Sequence, residues 1–87
     1  MIQIVYHNNF LKSLARLPQS QQRKLAKLIK LFQENPFHPL LKTKRLANEL
    51  AGFLSFRITR DWRVIFQFID SDTIQFLRVK HRKDVYR

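Results

Sequence analysis

The residues best suited to chemistry lie in the last third of the chain. Arg57 and Arg63 flank short apolar segments that alternate in the manner of β-strands, and His81 and Tyr86 follow the last of these segments. Arginine presents a planar, charged fork to phosphoryl oxygens, histidine exchanges protons near neutral pH, and tyrosine stacks on bases or hydrogen-bonds to hydroxyls. Together these groups can hold and cleave a phosphodiester.

Each of these residues also has an ordinary structural explanation. Arg57 and Arg63 can be surface charge beside a strand, and a histidine at a strand end is often structural or simply exposed. Tyr86 can stack on a splayed base, or it can fasten the C-terminus to the core. Trp62 lies beside a turn, where it can stack on a base or cover the edge of the core.

Composition favours a small nucleic-acid-binding protein. The 87 residues allow one domain with one modest core, and 17 Lys and Arg against 6 Asp and Glu leave a net charge of +11. Such an excess indicates a polyanionic partner, although an ordinary protein with a solvated basic surface is the alternative. The chain has no cysteine, and its three histidines lack metal-ligand spacing, so we expect neither a metal nor a small-molecule cofactor.

Nothing in the sequence predicts export or a membrane location. The N-terminal segment 1–6 has no charged region followed by an apolar run of signal-peptide length. Apolar residues nowhere run long enough to span a bilayer. We therefore expect a cytoplasmic protein.

The first half of the chain predicts a strand followed by a helical hairpin. Residues 2–6 alternate as a strand does, and Asn8 or Asn9 is expected to cap a first helix that stops near Pro18. The apolar side of that helix is expected to carry Phe10, Leu11, Leu14 and Leu17.

A second helix is predicted between Ser20, its expected cap, and Pro36. Its apolar residues recur at helical spacing, and basic residues take its other side. The segment 36–50 contains two prolines and is expected to be a loop that leads back to the sheet.

Three further strands are predicted. Even-numbered residues are apolar in the two segments 54–58 and 64–68, so a turn with an odd number of residues would place them on one buried face. The same register brings Arg57 and Arg63 together on the opposite face. After a turn at Asp70 to Asp72, the last strand, 73–80, is expected to turn Leu77 and Val79 to the core and Arg78 and Lys80 to the open side.

The predicted fold class is α+β. A strand, helix, helix opening is followed by a three-stranded antiparallel meander, with both helices packed on one face of an antiparallel sheet. The other face is expected to be basic.

Two motifs make the chain resemble the RelE/ParE superfamily of prokaryotic toxins, in particular its RelE and YoeB type mRNA-cleaving members. One is Arg-Val-Ile-Phe at 63–66, at the end of a basic strand pair, and the other is His-Arg-Lys-Asp-Val-Tyr at 81–86. The resemblance covers nearly the whole chain in element order. It implies that residues 1–87 form a single RelE-like toxin domain.

The resemblance assigns catalytic roles to Arg63, which matches the arginine of the central strand motif, and to Arg57, His81 and Tyr86. Neighbouring positive charge favours the neutral form of His81, which suits a general base. The residues expected to bind RNA are Lys42, Lys44, Arg45, Arg60, Trp62, Arg78, Lys80, Arg82 and Lys83.

The sequence departs from the YoeB-like pattern at one important position. Lys44 stands where those relatives carry a glutamate that acts as the base, and Glu49 is out of register with it. RelE has lysines on the first strand of the basic hairpin, where this chain has Ser55 and Arg57. A RelE-like site of basic residues and tyrosine fits better, and the identity of the general base stays open.

The resemblance thus implies the toxin of a type II toxin-antitoxin pair. Such a toxin is a ribosome-dependent endoribonuclease that cuts mRNA in the ribosomal A site by metal-free attack of the 2′-hydroxyl, inhibits translation, and is silenced by a cognate antitoxin protein. Two other functions remain open: a ParE-like inhibitor of DNA gyrase, and an RNA-binding or ribosome-binding module without catalysis.

Overall fold

The computed structural model describes residues 1–85. In this part of the chain, no helix is long and apolar enough to cross a bilayer. The strands are β1 (Gln3–Tyr6), β2 (Lys44–Arg45), β3 (Leu54–Arg57), β4 (Trp62–Phe68) and β5 (Thr73–His81), the helices are α1 (Asn8–Ala15) and α2 (Gln19–Glu34), and short 3₁₀ turns lie at Pro39–Leu41, Asn48–Leu50 and Arg82–Asp84.

The five strands form one mixed sheet in the order β1-β5-β4-β3-β2. The antiparallel meander of β3, β4 and β5 confirms the prediction, as does the packing of both helices on one face. The prediction of a purely antiparallel sheet is wrong, because β1 runs parallel to β5. The intervening helices carry the chain back across the sheet, which a parallel pairing requires.

The segment 36–50, which we expected to be a loop, contributes a fifth strand. Lys44 pairs with Ser55 and Arg45 with Leu54, so a two-residue strand extends the sheet beyond β3. So short a strand carries no readable alternation, and the prolines that precede it favour a loop prediction.

The core between helices and sheet is built around phenylalanine. The ring of Phe32, from α2, lies 5.2 Å from Phe56, 5.0 Å from Phe66 and 5.2 Å from Phe76, and all four residues are fully buried. Burying aromatic rings in edge-to-face contact contributes strongly to stability. Because side chains alternate along a strand, this packing also fixes which residues of β3, β4 and β5 face away from the helices.

A β-bulge changes the register of β5. Ile65 pairs with Arg78 but Phe66 pairs with Phe76, which leaves Leu77 without a partner in β4. Val79 reaches the core as predicted. Leu77 does not: the bulge turns it to the other face, where it packs against a second cluster of buried residues, Leu46, Ile65 and Val85.

Both predicted helix caps are wrong. The cap of α1 is His7, whose Nδ1 accepts a hydrogen bond from the backbone N–H of Asn9 at 3.0 Å, so Asn8 and Asn9 already belong to the helix. Ser20 lies inside α2, which begins directly after Pro18 without a side-chain cap. The fixed φ of proline, here −54°, lets the helix begin at the next residue.

Two apolar residues assigned to one side of the first helix lie elsewhere. Leu11 is half exposed, and Leu17 is buried but follows the end of α1. The turn at 70–72 is as predicted, and Asp70 accepts a hydrogen bond from the backbone N–H of Asp72 at 2.9 Å. That bond lowers the pKa of the exposed Asp70 carboxyl.

Helix α1 covers the part of β5 that β1 does not reach. The pairing of β1 ends at Phe76, so the backbone N–H of Val79 has no strand partner on that side. It donates instead to the hydroxyl of Ser13, at 2.8 Å, while that hydroxyl donates to the carbonyl of Asn9, also at 2.8 Å. A single helical serine therefore completes the sheet edge.

We predict that Ser13→Ala lowers the free energy of unfolding by about 1–2 kcal/mol, because the partly buried N–H of Val79 would be left without an acceptor. Urea denaturation measures the change. Ser20→Ala is the matched control, since this exposed serine caps nothing, and it should change stability by less than about 0.5 kcal/mol. Equal effects of the two substitutions would contradict the role given to Ser13.

Candidate nucleic-acid interface

Three cations lie side by side on the face of the sheet that points away from the helices, which we call the open face. Arg57 of β3 is directly opposite Arg63 of β4, and Arg63 is directly opposite Lys80 of β5. Residues directly opposite one another share a face, with Cβ atoms about 5 Å apart. We call these three residues the cationic row, and its register confirms the predicted meeting of Arg57 and Arg63.

The cationic row brings like charges together. Like charges opposite each other destabilise a strand pair by about 0.2–1 kcal/mol. In addition, Nε of Arg57 is buried and has no hydrogen-bond partner among the described residues, and such an orphaned donor typically costs about 1–3 kcal/mol. A bound anion would relieve the like-charge repulsion, because it carries the opposite charge.

A second row crosses the open face beside the first. Lys44 is opposite Ser55, Ser55 is opposite Ile65, and Ile65 is opposite Arg78. The predicted placement of Arg78 and Lys80 on the open side is therefore confirmed. Lys44 joins them at the other end of its row.

Arg45 is separated from Lys44 although the two are adjacent in sequence. Because it pairs with Leu54, whose side chain is in the helix-side core, Arg45 lies on the helix side of the sheet. Its guanidinium stands 6.0 Å from the ring centroid of Phe37, a distance typical of a cation–π contact. Arg45 therefore does not share a face with the cationic row.

The prediction of a basic open face is confirmed, because the cationic row, Lys44 and Arg78 all lie on it. The face is not basic throughout. An apolar groove of about 270 Å³ opens beside the cationic row. Val85 packs into the second cluster on this face, as predicted for the tail. The residues that line the groove are Leu50, Phe53, Ile65, Leu77, Arg78, Lys80 and Val85.

His81 and Trp62 lie on the helix side of the sheet, at its end. They are directly opposite each other, their rings are 5.2 Å apart in an edge-to-face arrangement, and Trp62 packs against the helix-side core. Trp62 thus covers the edge of the core, one of its two expected roles. The strand register does not bring His81 onto the face of Arg63.

The hydrogen bond of His81 bears on its expected role as a base. Its Nδ1 accepts from the backbone N–H of Lys83 at 3.2 Å, so the proton of the neutral ring is assigned to Nε2. In this arrangement the other ring nitrogen, Nε2, is a donor and does not accept a proton from a hydroxyl. His81 as held is suited to donate a hydrogen bond through Nε2.

Asp61 is an acidic residue of this region that the sequence had not singled out. Its Oδ1 lies 3.5 Å from Nε of Arg82, and its backbone carbonyl accepts from the N–H of Arg82 at 2.7 Å. The ion pair is half exposed and contributes little to stability. The backbone bond matters more, because it ties the last 3₁₀ turn to the β3–β4 turn. In the sequence, only the position of Asp61 between Arg60 and Trp62 in that turn pointed to it.

The remaining predicted residues are exposed and lie outside the cationic row. Lys42 ends a 3₁₀ turn with a φ of 52°, Arg60 lies in the β3–β4 turn, and Lys83 lies in the last 3₁₀ turn. Tyr86 lies outside the described residues.

Two cations that the sequence had not singled out lie against β5. Lys12 of α1 and Arg16, which follows the end of α1, line a groove of about 340 Å³ together with Arg78 and Lys80. Helical spacing could not predict this position against β5, because it shows only that these residues do not face the core. Positive charge therefore continues around the edge of the sheet.

We predict that Arg57→Gln leaves the free energy of unfolding unchanged or raises it by up to about 1 kcal/mol, because one like-charge contact and one orphaned donor disappear. Urea denaturation at low salt is the measurement. A decrease of more than about 1 kcal/mol would mean that Arg57 supports the fold.

Comparisons with known proteins agree with this architecture. A family model described as the ParE toxin of the type II toxin-antitoxin system, parDE, matches residues 4–86. No curated protein sequence matches the chain.

Solved structures share the fold at low sequence identity. The YoeB/ParE toxin from Agrobacterium tumefaciens has a TM-score of 0.77 and 20% identity, over 93% of this chain and 99% of that one. YafQ from E. coli has a TM-score of 0.77 and 22% identity over 100% of both chains. A chain of the heterotetrameric YoeB-YefM toxin-antitoxin complex from Staphylococcus aureus has a TM-score of 0.73 and 19% identity, over 92% of this chain and 95% of that one.

Proposed function

The chain belongs to the ParE toxin family of type II toxin-antitoxin systems, within the RelE/ParE superfamily, and we propose that it is an endoribonuclease that cleaves mRNA on the ribosome. The observation that carries the proposal is the cationic row of Arg57, Arg63 and Lys80. Three cations opposite one another on one face of a sheet suit the binding of an anion such as a phosphate.

The proposed reaction is an internal transfer of the phosphoryl group. The 2′-hydroxyl oxygen forms a bond to the adjacent phosphorus and gives its proton to a base, while the bond from phosphorus to the 5′-oxygen breaks and that oxygen gains a proton. The products are a 2′,3′-cyclic phosphate and a 5′-hydroxyl. Negative charge builds up on the phosphoryl oxygens in the transition state, and this charge is what the protein has to stabilise.

We assign the stabilisation of that charge to the cationic row. Arg63 stands at its centre, between Arg57 and Lys80, and we assign its guanidinium to a phosphate that it shares with either neighbour. The terminal amino groups of the Arg57 guanidinium are assigned as further donors to this phosphate. His81, on the other side of the strand end, is assigned to the flanking nucleotides as a donor through Nε2.

The ribosome enters the proposal for a geometric reason. The protein measures only 31 × 29 × 26 Å and its net charge is +11. So small a surface holds few nucleotides in a defined conformation, whereas in-line attack requires the 2′-hydroxyl and the leaving oxygen to be aligned. An mRNA ordered in the ribosomal A site meets that requirement, and the positive charge favours association with ribosomal RNA.

A second candidate function is inhibition of DNA gyrase, because the family model that matches the chain is that of ParE. A gyrase inhibitor shares the fold and the basic charge. It does not need a row of phosphate-binding cations that can stabilise a cleavage transition state.

We predict that Arg63→Ala lowers cleavage of translated mRNA by about a hundredfold or more, because the central donor to the transition state is removed. Primer extension on mRNA translated in a purified system measures cleavage. Arg23→Ala, which removes an exposed arginine from α2, is the matched control and should cleave normally. Cleavage by a folded Arg63→Ala protein at the normal rate would remove Arg63 from the site, and gyrase-dependent DNA breaks without mRNA cuts would select the second function.

The proposed protein partner is a cognate antitoxin. The fold is shared with a YoeB chain from a YoeB-YefM toxin-antitoxin complex, and a protein of charge +11 is most readily captured by an acidic segment. We propose that this segment covers the cationic row or displaces the tail from Lys80 onward. Apolar contacts from the antitoxin would then slow its dissociation.

We predict that the antitoxin and the ribosome exclude each other from the toxin, since both need the open face. Ribosome sedimentation with tagged toxin, with and without antitoxin, measures this. Toxin should leave the ribosome fraction as antitoxin is added. A stable complex of all three components with uncut mRNA would show that inhibition leaves access to the ribosome intact.

A further inference from the structure

The apolar groove has no role in the cleavage chemistry described above, yet it opens directly beside the cationic row. Its apolar lining includes Ile65 and Leu77 of the sheet together with Leu50 and Phe53. Among the described residues that line it, only Arg78 and Lys80 are charged. An open apolar groove next to cations suits a ligand with a flat apolar body and a nearby negative charge.

We propose that the apolar groove binds the nucleobase next to the phosphate held by the cationic row, and that Arg78 makes this base preferentially guanine. The inference rests on the proposed function, because it identifies the groove with the base adjacent to the cleaved bond. The inference adds Arg78, on the same open face, as a residue that determines base specificity.

The strand geometry places the two parts one nucleotide apart. Ile65 follows Arg63 by two residues on β4, so both side chains are on the open face with a separation of roughly 6.6–6.8 Å along the strand. A nucleotide whose phosphate lies at Arg63 can therefore reach the groove with its base through the ribose. Phe53 provides an aromatic face for stacking within that groove.

The β-bulge is what creates this arrangement. Strict alternation would turn Leu77 and Arg78 to opposite faces of the sheet. Because of the extra residue, both lie on the open face: Leu77 lines the groove and Arg78 is opposite Ile65. Bulges commonly re-aim side chains next to functional sites. Here the bulge places an apolar side chain, Leu77, and a cation, Arg78, next to each other in the lining of the groove.

The polar groups of the groove select among the bases. The side chains of Arg78 and Lys80 only donate hydrogen bonds, and within the described part of the chain the groove is lined by no carboxylate or side-chain amide that could accept one. Guanine presents O6 and N7 as adjacent acceptors, which an arginine binds with two bonds. Adenine and cytosine each turn an amino donor toward such a rim, and uracil is smaller and offers one acceptor there.

The test uses the full chain with ¹³C-labelled methyl groups and the four nucleoside monophosphates GMP, AMP, CMP and UMP as probes. We expect GMP to shift the methyl resonances of Ile65, Leu77 and Val85 and to bind about tenfold or more tightly than CMP. Arg78→Gln should reduce that preference to within about twofold. Arg23→Gln, on the exposed side of α2, is the matched control and should keep it.

The outcomes separate this inference from the proposed function. Equal affinity for the four nucleotides, or shifts confined to methyl groups outside the groove, would overturn the inference even if the protein cleaves mRNA. A preference for GMP that Arg78→Gln removes supports the inference even if the protein cleaves no RNA, in which case the proposed function fails by itself. The methyl spectrum of each free variant shows whether it is folded.

Discussion

Packing on one side of a β-sheet determines what stands on the other side, and this constraint governs the whole molecule. Phe56 and Phe66 must face the helices to pack around Phe32. Since side chains alternate, the residues beside them must face away, and Arg57 and Arg63 meet across the sheet for that reason. A slip of one residue in β4 would bury arginine and expose phenylalanine, so the phenylalanine core holds the cations in register.

The same constraint explains why the protein tolerates an unfavourable charge arrangement. Repulsion across the cationic row costs at most about 2 kcal/mol for its two strand pairs, whereas removing even one buried phenylalanine from the core costs about 3–5 kcal/mol. The core therefore wins, and the row persists with an orphaned donor in place.

Sequence periodicity predicted those parts of the molecule that the core dictates. The α+β class, the meander, the two helices and the pairing of Arg57 with Arg63 all follow from apolar residues at spacings of two or of three and four. The resemblance drawn from the strand motif and the C-terminal motif agrees with the family match. Local sequence patterns were sufficient to predict an element and its buried face wherever one face of that element packs against the core.

The features that periodicity missed depend on contacts distant in sequence. The parallel pairing of β1 and the cap formed by His7 are set by tertiary packing, and the bulge that moves Leu77 is invisible in an alternating apolar pattern. For the candidate site, the sequence correctly placed Lys80 on the open face. It could not separate Arg45 from Lys44 without knowing that both belong to a strand.

The most direct test of the central claim, that the cationic row holds RNA phosphate, is the salt dependence of binding to a 2′-O-methyl RNA oligonucleotide, which cannot be cleaved. The wild-type protein is compared with the double variant Arg57→Gln, Arg63→Gln and with the control double variant Arg23→Gln, Lys27→Gln on α2. The account predicts that the slope of log affinity against log salt becomes shallower by about 0.7 for each phosphate that the first variant no longer neutralises, and stays near the wild-type value in the control. An unchanged slope in the first variant would contradict the account.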